Sequence, residues 1–300
     1  MEQYCYFVCS RGILKSCNFH SENPTSSCSN DKKYLINMIK GNKMFNGMSI
    51  YVCSDLLKFF VNIILPRINK KFVLVSGDSD INVPLEILNN YEFNILINSN
   101  NLIKWFIQNT QIQNNKKIIQ LPIGLDYHTI SNNPSHFWKS DNEGHLPKEQ
   151  EEILVNIRNT SLKFFDRIPK IYVNFTISND RFNQRKNCLK IIPNNLLIKN
   201  ESNIKRTETW NNIIKYSFVL SPFGNGMDCH RTWETLCLGS IPIIKAPNFK
   251  KLFEDLPVLI VDDWSEINQE VLINTIDKFK EKTFNYDKLT LKYWIKQIYS

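Results

Sequence analysis

The chain has 300 residues, enough for two cores of ordinary size, because single cores stop growing near roughly 250 to 300 residues. Hydrophobic residues at 42% and charged residues at 22% are those of a folded chain, and the formal charge of +8 suits an anionic ligand, nucleic acid or an acidic membrane surface without choosing among them. Pairs such as Lys32-Lys33, Lys70-Lys71, Lys116-Lys117 and Lys250-Lys251 never grow into a polybasic block, so a solvated surface is favoured over a nucleic-acid face.

Cysteines stand at 5, 9, 17, 28, 53, 188, 229 and 237. None has the CxxC spacing of a zinc site, although pairing of Cys5 with Cys9 stays open. No secretory apolar region follows Met1, and no apolar run reaches 18 residues, so a soluble cytoplasmic protein with reduced thiols is expected.

The first 30 residues lack a sustained period and read either as irregular or as a short entry strand at Tyr4 to Val8. After Ser54, DLLKFFVNIILPRI has the spacing of a mostly buried helix, and KFVLVSG at 71–77 is a compact strand closed by glycine. Phe93 to Ile97 is expected as a strand, Asn101 to Gln108 as a helix, and Lys117 to Ile123 as a strand stopped by Gly124. Residues 126–148 turn polar and are interrupted by Pro134, Gly144 and Pro147, as in a lid or interdomain excursion.

A helix EQEEILVNIRN follows, and a second alternating series begins at the strand IYVNF. It continues through a helix near Phe182 to Lys190, the helix TETWNNIIKYS, the strand FVLSP, the helix CHRTWETLCLG, the strands SIPIIK and PVLIVDD, and a helix from Glu266 to Lys280. Two α/β series imply two nucleotide-fold-like halves with parallel sheets, whose ligands bind outside the carboxyl ends of the strands. The final KLTLKYWIKQIYS is helical in period and is expected to cross back onto the first half.

Chemistry concentrates between Ser217 and Lys245. The strand FVLSP delivers the chain into GNGMD, where Gly224 and Gly226 would let a phosphate approach and Asp228 occupies an N-cap position. The helix behind it would aim its free amides at an anion. Arg231 and Glu234, three apart, share a face of that helix. A guanidinium can clamp a diphosphate while a carboxylate accepts from ribose hydroxyls; the competing reading is an i, i+3 ion pair. Arg181 and Arg185 could share a helix face nearby. For a base, Asp78 after FVLVSG ranks first and Asp126 after KIIQLPIG second; Asp80 also borders the expected cleft, and His128 is more simply structural. The bland alternative for each Asp is a turn or cap. His230 shows no partner in the sequence that would make it a base.

The string SPFGNGMDCHRTWETLCLGSIPII resembles the donor-binding segment of exostosin-like glycosyltransferases. The pieces VSGDSDINVP, LPIGLDYHT and YVNF are similar to the soluble viral and bacterial branch of that family. The resemblance implies a two-domain GT-B fold: an acceptor-side domain over 1–165, a nucleotide-sugar-binding domain over 166–285, and a helix over 286–300 packing back onto the first domain. It implies transfer of a hexosyl or pentosyl group from a nucleotide diphosphate donor, taken as a UDP-sugar, to a glycan or glycoprotein hydroxyl. Inversion without a metal or other cofactor is expected, although Asp78 and Asp80 form a DSD triplet. Ser221, Gly224, Asn225, Gly226, Arg231, Glu234, Arg181 and Arg185 would hold the donor. A catalytically silent module that binds nucleotide sugars or glycans would keep Arg231 and Glu234 without needing a cleft carboxylate.

Overall fold

A computed structural model describes residues 1–21, 31–41, 43–141, 143–178, 180–199 and 204–300. Cys28 lies outside the described residues. Two parallel sheets carry the molecule, as the two α/β series require. The first joins β1 (Met48–Cys53), β2 (Phe72–Gly77), β3 (Leu102–Ile107) and β4 (Ile118–Gln120) in sequential order. The second contains β5 (Ile168–Val173), β6 (Leu197–Lys199), β7 (Tyr216–Leu220), β8 (Ile241–Ile244) and β9 (Leu259–Ile260), in the order β6-β5-β7-β8-β9. That order reverses direction between β5 and β7, the kind of switch point where open α/β sheets take ligands.

Helices α1 (Ser10–Lys15) and α2 (Asp31–Lys40) precede the first sheet. The helical stretch from Ser54 to Arg67 has α3 (Leu57–Phe59) between tighter and wider turns. Then come α4 (Asn90–Ile97), α5 (His128–Asn132), α6 (Pro147–Asn159), α7 (Gln184–Ile191), α8 (Arg206–Ile213), α9 (His230–Cys237), α10 (Gln269–Lys280) and α11 (Leu291–Ile298).

Two expectations in the first half are exchanged. Phe93 to Ile97 is the end of helix α4, not a strand, because Asn89 opens the helix with a reciprocal box: its side chain accepts from the Glu92 amide at 2.8 Å, and the Glu92 carboxylate accepts from the Asn89 amide at 3.0 Å. Residues 102–107, expected as a helix, form β3; the Trp105 indole donates to Ser76 Oγ on β2 at 2.9 Å. Strand β1 was not read from the sequence; like β2 it is buried at all six residues, but it lacks the uninterrupted apolar run FVLV that marks β2. No strand forms at Tyr4 to Val8. Phe7 instead makes an isolated bridge to Thr290, and the Glu151 carboxylate accepts from the amides of Tyr6 and Phe7. Cys5 and Cys9 are both buried free thiols.

Helix α11 does return to the first half. The Leu291 amide donates to the Tyr6 carbonyl at 2.9 Å, and the Tyr299 hydroxyl donates to the Ser16 carbonyl at 2.7 Å. The carboxyl ends of the two sheets face each other across a joint of polar contacts. Its most buried ion pair runs from Arg206 at the start of α8 to Asp126 beyond β4, at 3.4 Å, with both side chains 7% exposed. Arg206 also donates to the Asp126 carbonyl at 2.6 Å and to Gln150 Oε1 at 2.9 Å, and it lies over the Trp138 ring. The polar excursion at 126–148 is thereby seated on the second half. Removing one partner of a buried pair strands the other, so Arg206→Met should lower the unfolding free energy by about 3 to 5 kcal/mol. Urea denaturation would measure it, and a loss under ~1 kcal/mol, the range of an exposed pair, would contradict this role.

Candidate functional site

The loops leaving β5 and β7 meet at the switch point. After β5 come Asn174 and Phe175; after β7 come Ser221, Gly224, Asn225 and Gly226, ending at helix α9. Arg185 on α7 binds the two loops together, donating from Nη1 to the Thr176 carbonyl at 2.8 Å and from Nε to the Phe223 carbonyl at 3.2 Å. Its guanidinium, like that of Arg231, lies over the Phe175 ring, at 5.6 and 5.1 Å respectively.

Arg231 is the unusual member. Its Nε and Nη1 are buried without a hydrogen-bond partner. Among the described residues no ion pair joins it to Glu234, so the simple i, i+3 salt bridge is not what this face contains. Burial pulls the guanidinium down to about 10, with Arg185 pushing the same way and Cys229 and Glu234 opposing. It still carries its charge at neutral pH. A buried donor left unmade costs about 1 to 3 kcal/mol, and more when charged, so two on one guanidinium make Arg231 a candidate for contact with an anion. Asn174 Oδ1, a buried acceptor, is likewise unpartnered.

The glycine loop is built differently from the expectation. Neither Gly224 nor Gly226 is left-handed, and the Gly224 amide is occupied by the Gly226 carbonyl at 3.0 Å. Gly226 is closely approached: a Cβ there would sit 2.8 Å from Asp80 Oδ1 and 3.0 Å from Asn109 Nδ2, both side-chain ends from the first half. Ser221 turns inward to share a hydrogen bond with Thr232 Oγ1 at 2.8 Å, whereas Asn225 is exposed. Arg181 sits before α7 rather than on it, so it shares no helix face with Arg185; it pairs with Glu86 across the joint at 2.7 Å.

Asp228 is not the N-cap of α9. That position belongs to Cys229, which supplies no side-chain cap; its carbonyl accepts from the Thr232 amide at 3.0 Å. The Asp228 carboxylate accepts from the Ile123 amide of the first half at 2.7 Å and from the Trp233 indole at 2.9 Å, while its own amide donates to Asn109 Oδ1 at 2.8 Å.

The three candidate carboxylates have separate fates. Asp78, left-handed at φ 61°, is buried and pairs with Arg11 at 3.2 Å. Asp126 is buried too. Burial works against its charge, but His128, His230, Arg206 and the Thr129 amide prevail and hold it well below the usual carboxylate range. Both are engaged in internal pairs, which removes the basis for ranking them first and second as bases. Asp80 alone faces the glycine loop with an exposed side chain and, among the described residues, no ion pair. Crowding by its surroundings pushes its carboxyl up, against the pull of His230, Arg181 and Arg185. His128 contacts Asp126 at 3.3 Å, and burial lowers it to about 4, which keeps it neutral and structural at neutral pH.

His230, passed over in the sequence, stands among these groups. Its Nδ1 lies 2.7 Å from the Gly124 carbonyl and its ring 6.0 Å from that of His128. The signal missed was its place one residue before Arg231, at the start of the helix. Two surface depressions lie elsewhere, one lined by Tyr6, Glu151 and Arg158, the other by Arg158, Phe165 and Phe284; neither contains Arg231, Asp80 or His230.

No family model and no curated protein matches the chain. Among solved structures, the crystal structure of an alpha1,3-fucosyltransferase with GDP-fucose is similar over 96% of this chain and 95% of its own, at 12% identity and a TM-score of 0.38. Assignment of the site therefore rests on the residues of this chain. Among the described residues no helix is long and apolar enough to cross a membrane.

Burial pushes the Asp228 carboxyl up to about 6, against its hydrogen bonds to Ile123 and Trp233. An unfolded aspartate titrates near ~3.9, so the folded chain holds the extra proton between those values. The stability this group contributes is present below about pH 4 and is lost as pH rises through 6. Asp228→Asn should therefore gain on the wild type as pH rises from about 4 to 7. Urea denaturation of both proteins at pH 4.5 and 7.5 would show it; a difference that does not change with pH would refute the assignment.

Proposed function

We propose that the protein transfers a sugar from a nucleoside diphosphate donor to a hydroxyl of a glycan or glycoprotein. Arg231 at the β5/β7 switch point carries this reading: its Nε and Nη1 are buried without a hydrogen-bond partner. Glycosyl transfer leaves negative charge on the departing diphosphate, and a desolvated guanidinium stabilises such charge most where water is excluded. Glu234, on the same helix face, accepts from ribose or sugar hydroxyls. Asn225 and Gly226 border the diphosphate, and Arg185 and Ser221 hold the surrounding loops in place. The first half, residues 1–165, presents the acceptor, and residues 166–285 bind the donor. Inversion follows from direct attack by the acceptor oxygen, with a UDP-sugar as the favoured donor and no metal. Asp80, opposite the loop, stabilises positive charge developing near the acceptor.

The test is a thermal-shift series with UDP, GDP and their sugars. A ligand at 100 times its Kd stabilises the folded state by about 2.7 kcal/mol, a shift of several degrees. Arg231→Met should weaken nucleotide affinity about 10- to 100-fold, the value of a charge-assisted contact, with Arg231→Lys falling between. Failure of every nucleotide to stabilise the wild type would overturn the reading. Stabilisation without donor hydrolysis or transfer would instead identify a binding module.

A further inference from the structure

Glycosyl transfer also needs a group to take the acceptor's proton, and the joint between the halves contains one whose orientation is fixed. A carbonyl oxygen only accepts hydrogen bonds, so the contact between the Gly124 carbonyl and Nδ1 of His230 places a proton on Nδ1. In the neutral ring, Nε2 then carries the lone pair, and among the described residues it makes no hydrogen bond. The Gly124 carbonyl is itself held. Gly124 is left-handed at φ +67°, a Cβ there would lie 2.3 Å from the Val8 carbonyl oxygen, and the following Leu125 amide donates to that oxygen at 2.8 Å.

We infer that His230 is the general base of the reaction, accepting the acceptor's hydroxyl proton at Nε2, with Gly124 as the positioning residue that fixes its tautomer. The inference rests on the nucleotide-sugar reading above. As the acceptor oxygen bonds to the anomeric carbon, the bond from that carbon to the diphosphate oxygen breaks. The proton passes to Nε2, and the electron pair leaves with the diphosphate toward Arg231.

The groups around the ring suit this role. The charges that act on it electrostatically come from Asp80 in the loop after β2, Asp126 and His128 beyond β4, and Asp228 on its own side, with Arg181 and Arg185 acting on Asp80. Asp126, Asp228 and Asp78 are each committed to an internal partner. Asp80 is the carboxylate left to stabilise the imidazolium as it forms, in the manner of a base oriented by one group and balanced by another. His230 also sits one residue from Arg231, so base and leaving-group clamp ride on the same helix.

Two measurements test the inference. Long-range 15N–1H NMR of histidine-labelled protein should show His230 as the Nδ1–H tautomer with unprotonated Nε2; a proton on Nε2 instead would overturn it without any assay of activity. The second compares wild type with His230→Asn, whose amide can still donate to Gly124 but has no nitrogen in place of Nε2. The variant should keep the thermal shift with UDP or GDP and lose about 10²- to 10⁴-fold in hydrolysis of UDP-glucose, UDP-N-acetylglucosamine or GDP-fucose. Wild-type turnover should fall on the acid side as Nε2 protonates, and the variant's residual rate should lack that limb. Turnover within threefold of wild type would overturn the base assignment while leaving the glycosyltransferase reading intact. Nucleotide binding without wild-type turnover would overturn the base assignment and identify a binder. Absence of both would overturn the two readings together.

Discussion

The geometry of the site depends on one buried carboxylate. Asp228 takes hydrogen bonds from the Ile123 amide in the first half and from the Trp233 indole within α9, and its own amide is held by Asn109. Burial works against its charge and pushes the carboxyl up. It is tolerated because it fixes the start of α9 against the carboxyl ends of β3 and β4. His230 and Arg231 follow at once in the chain, so their positions relative to the first half are set by this contact.

Around that anchor the two halves divide the polar work. The Asp126–Arg206 pair seats the excursion after β4 on α8, and the exposed Arg181–Glu86 pair spans the joint with less energetic weight. Arg185 ties the loops after β5 and β7 to each other. With these groups satisfied internally, the unsatisfied ones stand out: Nε and Nη1 of Arg231, Oδ1 of Asn174, and the open Nε2 of His230. Their location at the β5/β7 switch point is what the proposed donor site rests on.

The strand, loop and helix around Arg231 were legible in the sequence because glycines, a polar turn and an amphipathic helix leave local signatures. The sequence misjudged Asp228, which stands where a cap belongs but reaches sideways to Trp233 and across to Ile123. It ranked Asp78 and Asp126 above Asp80 because all three follow strands. Nothing local reveals that Arg11 and Arg206 neutralise the first two, each from an element distant in the chain. The exchange of helix and strand at 90–107 has a local cause, since the Asn89–Glu92 box was present but an apolar run outweighed it.

By itself the sequence determined that two parallel α/β units form, that the second carries a glycine loop feeding a helix with Arg231, and that the last helix returns to the first. Those features depend on periodicity and turn chemistry, which act between near neighbours. Tertiary structure decided which charges are paired, which stay free, and that His230 is held by Gly124 with its other nitrogen open. Pairing is a matter of distance between residues far apart in the chain, 106 positions for His230 and Gly124, and no local pattern encodes it.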